Sequence, residues 1–155
     1  MSTHHRSDIY TKFLRESIDA LQKSADQLRY SIDRCAKLKP PYQPADLEAI
    51  EALTARFART VDIFLQKAIK SLFKVMREDS DTLIDKANLL EKIGIAESAD
   101  HVMAIRELRN EIAHDYSERD IDAMATEVMK LCPSLFSLVA HLDSFATEYV
   151  AKHID

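Results

Sequence analysis

A chain of 155 residues, 46% hydrophobic and 30% charged, has the length and balance of a single soluble domain able to bury a core without staples. One glycine and four prolines leave little room for the turns of β-hairpins, which argues against a sheet and for few, long helices. A net charge of −5 and a pI near 5.7 argue against the broadly basic surface of a non-specific nucleic-acid binder, though not against a local basic cleft.

Residues 1–8 are polar and lack the apolar stretch of a signal peptide, so 1–7 are expected to be disordered and the protein cytoplasmic. His4 and His5 fall in this segment and are read as part of a polar terminus rather than as metal ligands. Helical periodicity then covers 9–38, with Ile9, Phe13, Ile18, Leu21, Ala25, Leu28 and Ile32 inward. Pro40 and Pro41 stop it, and 39–44 make a short rigid link, which favours an antiparallel neighbour. Asp46 is the expected N-cap of a second helix over 46–77, with an apolar stripe from Leu47 through Phe57 and Phe64 to Val75. A capping cluster of Asp79, Ser80 and Asp81 precedes a third helix over 82–93, and Gly94 suits the left-handed position that follows it. Ser98 caps a fourth helix through His114. Ser117 is placed to cap a fifth containing Ile121, Met124 and Val128, and Pro133 is expected to break it before a last helix beginning near Leu135. Cys35 and Cys132 lack metal-ligand spacing and are read as buried thiols in a reducing compartment. No apolar run approaches the roughly 20 residues of a membrane span. The expectation is one all-α domain over 1–155, a helical bundle built on a long antiparallel hairpin.

One stretch carries candidate chemistry: Arg106-Glu107-Leu108-Arg109-Asn110-Glu111-Ile112-Ala113-His114-Asp115-Tyr116. Ile105, Leu108 and Ile112 form its core-facing stripe. Asn110 and His114 are four apart and share a face away from that stripe. Arg109 lies about 140° around from His114 on an ideal helix, so the two meet only if the helix loosens near its end or across a two-fold axis. A histidine titrating near neutrality can move a proton, and arginine clamps phosphate with fixed charge. Two such pairs in a cleft could cleave RNA without metal, one imidazole taking the 2′-OH proton and arginine stabilising charge on the phosphate, to leave a 2′,3′-cyclic phosphate and a 5′-hydroxyl. Arg106 lies one turn before Asn110 and is a candidate phosphate contact. A lone arginine and histidine on a solvated helix are also common.

The run Arg109-Asn110-Glu111-Ile112-Ala113-His114-Asp115-Tyr116 resembles the arginine, four residues, histidine signature of the HEPN superfamily. The asparagine after the arginine and the tyrosine two residues past the histidine are similar to the HepT toxins of HEPN/MNT toxin–antitoxin modules. The resemblance implies that Arg109 and His114 are a catalytic pair and that Asn110 shapes the site. It also implies that Tyr116 is modified with AMP groups by a partner nucleotidyltransferase antitoxin, a bulky negative charge that would repel RNA. It implies a homodimer with a composite site, able to enter a larger assembly with the antitoxin, and no metal or cofactor on this chain. Glu111, Asp115 and Glu118 depart from a simple phosphate cleft by adding negative charge, which would raise the pKa of His114. On the second helix, Arg56, Arg59 and Asp62 are candidates for further site residues, with surface ion pairing as the plainer role.

Three functions compete: a ribonuclease toxin using Arg109 and His114, a non-catalytic subunit that binds a nucleotidyltransferase, and a helical interaction protein whose motif is accidental. The intact motif favours the first and its acidic surroundings the second.

Overall fold

The computed structural model describes the backbone of residues 3–114 and 120–154, and the side chains of 8–113 and 120–154. Every regular element described is helical: α1 (Thr3–Cys35), α2 (Pro44–Asp62), a π-helical segment (Ile63–Ala68), α3 (Ile69–Met76), α4 (Leu83–Lys92), α5 (Ala99–His114) and α6 (Ile121–His153). The residues flanking the π segment all keep right-handed helical angles, so α2, the π segment and α3 form one unbroken rod. α1 packs along this whole rod and against α6, while α5 lies against α2, α4 and α6.

The inward seam of α1 has a heptad rhythm. Leu14, Ile18, Leu21, Ala25, Leu28 and Cys35 are buried, with Ile32 partly so. Alternating steps of four and three keep one narrow stripe against a partner helix. The same rhythm extended backwards reaches Thr11, which is buried, and passes over Ile9 and Phe13. Those two were expected inside and are instead exposed, Phe13 at 51%.

The rod needs a different device. An ideal α-helix drifts about 40° for every four residues. Yet the buried pairs Thr60/Val61, Phe64/Leu65, Ala68/Ile69 and Leu72/Phe73 recur every four. The π segment's i→i+5 bonding widens the turn and offsets that drift, keeping the stripe on the core. Polar contacts with α1 follow the seam: Ser17 Oγ to Ser71 Oγ at 3.4 Å, Ser24 Oγ to Thr60 Oγ1 at 2.7 Å, Arg56 Nη1 to Ser31 Oγ at 2.8 Å, and Cys35 Sγ to the Ala49 carbonyl at 3.4 Å. Thr60 spends its one hydroxyl proton on the Arg56 carbonyl at 2.8 Å, so Ser24 is the donor of the buried pair.

Helix ends correct several expectations. Pro44 is not part of the link but the first residue of α2, where its missing N–H is no loss. Gln43 is the N-cap, and Asp46 accepts its backbone N–H at 2.9 Å. Thr82, rather than the preceding acidic cluster, caps α4 by accepting from the Asp85 N–H at 3.2 Å. Gly94 (φ +84°) follows α4 in a Schellman turn: its N–H meets the Glu91 carbonyl at 3.2 Å and that of Ile95 the Leu90 carbonyl at 2.9 Å. Ser98 receives the Asp100 N–H at 3.1 Å, as expected of a cap.

The last two expected helices are one. α6 runs through Pro133 without a break, and its N-cap is Asp120, whose carboxylate accepts from the Asp122 N–H at 3.0 Å. Ser117 lies outside the described residues. Pro133 is exposed, so its ring projects away from the core while Cys132 and Leu135 on either side stay buried. Packing of ten buried α6 residues outweighs the helix bond that proline cannot donate. By length and composition α6 would also suffice to cross a membrane, but its apolar stripe is spent on this core.

Candidate functional site around Arg109

Ser98 starts α5, and Val102, Ile105 and Leu108 anchor it in the core with Ile112 partly buried, the stripe expected from sequence. This register sets Arg109 at the edge of the buried face. Its Nε donates to Oδ1 of Asp62 at 2.7 Å and its Nη2 to Oδ2 at 2.8 Å. The fork is a bidentate guanidinium–carboxylate pair, whose geometry fixes orientation as well as charge. Asp62 is the last residue of α2 before the π segment, so the pair ties α5 to the place where the rod's helical geometry changes. The hydrogen bond to Asp62 holds the Arg109 pKa above its ordinary value, against the opposing effect of burial. Arg109 is therefore a permanent cation. Two of its five N–H groups point at Asp62, and among the described residues the other three have no acceptor.

Arg106 donates from Nη1 to Oδ1 of Asn110, one turn along α5. Arg106, Asn110 and the backbone of His114 thus follow one another at steps of four on the same side of the helix. His114 is the last residue of α5; its side chain, and Asp115, Tyr116 and Glu118, lie outside the described residues.

Of the three candidates on α2, one reaches the motif. Asp62 meets Arg109. Arg56 instead braces α1, donating to Ser31 and to the Gln27 carbonyl at 3.2 Å, with its guanidinium 5.9 Å from the Tyr30 ring. Arg59 is exposed. The sequence offered no way to choose Asp62 from its neighbours, because the choice depends on where α5 crosses the rod.

Both cysteines are buried, and burial pushes their thiols up, that of Cys132 to about 12, which leaves them protonated and unreactive. Among the described residues no group of three or more histidine, cysteine or acidic side chains is placed to hold a metal ion. His141 sits with Nδ1 at 3.1 Å from the Ile95 carbonyl, a structural contact between α6 and the turn after α4. No family model, curated protein or solved structure matches the chain.

Proposed function

We propose that this chain is a HEPN-type endoribonuclease toxin that acts as a homodimer and cleaves RNA without metal. The observation that carries the reading is the Arg109–Asp62 fork, which holds the motif arginine in one orientation five residues before His114. Contacts between α1 and the rod run in opposite order along the two elements, 17 with 71 through 35 with 49, which supports the long antiparallel hairpin of a HEPN-like fold.

In the proposed reaction, one His114 imidazole takes the proton from a ribose 2′-OH. The 2′-oxygen attacks phosphorus, the bond to the 5′-oxygen breaks, and that oxygen leaves as a hydroxyl with a proton returned from an imidazolium. Arg109 faces the phosphate with its remaining N–H groups and offsets the charge that builds there. Asp62 contributes by keeping the guanidinium in place. Arg106 and Asn110 line the approach. The partner is a cytoplasmic nucleotidyltransferase antitoxin that silences the site by placing AMP on Tyr116.

A second reading has its own support. The carboxylate of Asp62 already neutralises much of Arg109's charge, and Glu111 lies two residues further along, which suits a non-catalytic subunit that presents Tyr116 to the nucleotidyltransferase.

The test is cleavage of RNA by purified protein in the presence of chelator, with His114→Ala and Arg109→Ala alongside and Tyr116 verified by mass spectrometry as unmodified. Loss of cyclic-phosphate ends in both variants is the expected result. No cleavage by the unmodified wild type leaves the non-catalytic reading.

A further inference from the structure

We propose that the groove between the start of α1 and the π segment with α3 is a channel for single-stranded RNA. It encloses about 390 Å³. Lys67, Lys70 and Lys74 line one wall at helical spacing, spanning about 10 Å of the rod at 1.5 Å per residue. Tyr10 and Phe13 of α1 line the other wall, and Glu16 is the one acidic side chain among the described lining residues. Three cations to one anion is a local reversal of sign in a chain whose net charge is −5.

The lysines are exposed and, among the described residues, none is in an ion pair. Lys74 stands 5.7 Å from the centre of the Tyr10 ring, so its ammonium is held over the groove by the ring face. The α1 heptad does not use Phe13, which leaves half of that ring open beside the lysines. A row of cations beside the half-exposed Phe13 ring, with the Tyr10 ring under Lys74, matches a strand that carries phosphates on one side and unpaired bases on the other. An acidic peptide would engage the lysines but has no need of the rings.

The channel also has a direction. Gln66 and Lys67 begin it about one turn beyond Asp62 on the same rod. That end of the groove is the one nearer, along the rod, to the Arg109–Asp62 pair. The groove depends on the ribonuclease reading only for what happens to the strand after it binds.

The experiment measures binding of a labelled single-stranded RNA of about 12 nucleotides, with the whole chain in a His114→Ala background so that the strand stays intact. Changing Lys67, Lys70 and Lys74 together to Gln should weaken binding about tenfold or more and flatten the slope of log affinity against log salt by about 2. Phe13→Ala should weaken it about fivefold or more with the salt slope unchanged. Helical content and thermal melting check that the variants fold. Unchanged affinity and slope in the lysine variant would overturn the channel. So would a polyglutamate peptide that binds as tightly as RNA, or a Phe13→Ala variant that loses self-association but not RNA affinity. RNA binding that needs the groove, in a protein whose wild type cuts nothing, would sustain the channel and remove the ribonuclease.

Discussion

Arg109 on α5 grips both carboxylate oxygens of Asp62 on α2, at 2.7 and 2.8 Å, across 47 positions of sequence. Their side chains retain 26% and 42% of their exposure, so the pair is worth no more than about 1 kcal/mol to the fold. Its value lies in direction: it decides which N–H groups of the guanidinium face outward.

Asp62→Asn keeps one acceptor and removes the charge. If Asp62 positions Arg109 for catalysis, cleavage should fall about 10- to 100-fold in kcat, with KM changed much less and melting nearly unchanged. Under the non-catalytic reading the same substitution frees Arg109's charge and leaves the absence of cleavage as it was. Steady-state kinetics on a defined RNA, set beside thermal melts, separates positioning from folding.

Gly94 and Arg77 make an opposed pair. Both sit in left-handed backbone, at φ +84° and +60°. A Cβ added at Gly94 meets nothing within 4 Å, so Gly94→Ala isolates the conformational cost and should destabilise the protein by about 1 kcal/mol. Arg77 already bears that cost at the end of α3, where its N–H and that of Glu78 close the helix on Lys74 and Phe73. Arg77→Gly should therefore stabilise by a similar amount. Urea titrations of the two variants should move in opposite directions from the wild type.

The sequence made the helical class, the stripe of α5, the Ser98 cap and the turn at Gly94 legible, because each depends on spacing or on one residue's local chemistry. Phe13 was misplaced because an apolar residue near a stripe is indistinguishable from one inside it until the partner helix selects the heptad through Leu14. Continuity through Pro133 was hidden because proline's local cost is visible in sequence, while the tertiary burial of Cys132, Leu135 and their neighbours is not. The π segment has no composition of its own; its trace is the spacing of four in the buried pairs from Thr60 to Phe73. In the candidate site, Arg109, Asn110 and His114 stood out by motif, but Asp62 became a site residue only when α5 was laid across the rod.

Tyr42 donates its hydroxyl to Asp122 at the start of α6, and this hydrogen bond, reinforced by the nearby carboxylates Asp120 and Asp46, raises its pKa from 10.0 to about 12. The folded state thus favours the protonated phenol more than the unfolded chain does. The resulting stabilisation is fully present below pH 10 and is lost as pH rises through about 12. Following phenolate absorbance through a base titration should show one of the five tyrosines ionising late, and Tyr42→Phe should remove that step. A wild type with no late step, which differs from the variant only by one more tyrosine ionising with the rest, would show that the Asp122 contact does not persist in solution.

Pro133 lies in the interior of a 33-residue helix and is exposed. Its ring therefore contributes little packing that alanine would forfeit, while proline withholds an N–H from the carbonyl of the residue four before it and crowds that turn. Proline costs up to about 3 kcal/mol relative to alanine in a regular helix interior. Pro133→Ala should then stabilise the protein by about 1–3 kcal/mol, raising Tm by about 2–4 °C for each kcal/mol in a chain of this size. A lowered Tm would mean that the seating of α6 on the core depends on the backbone course that Pro133 imposes, and that alanine shifts buried residues between Met124 and Val150 against it.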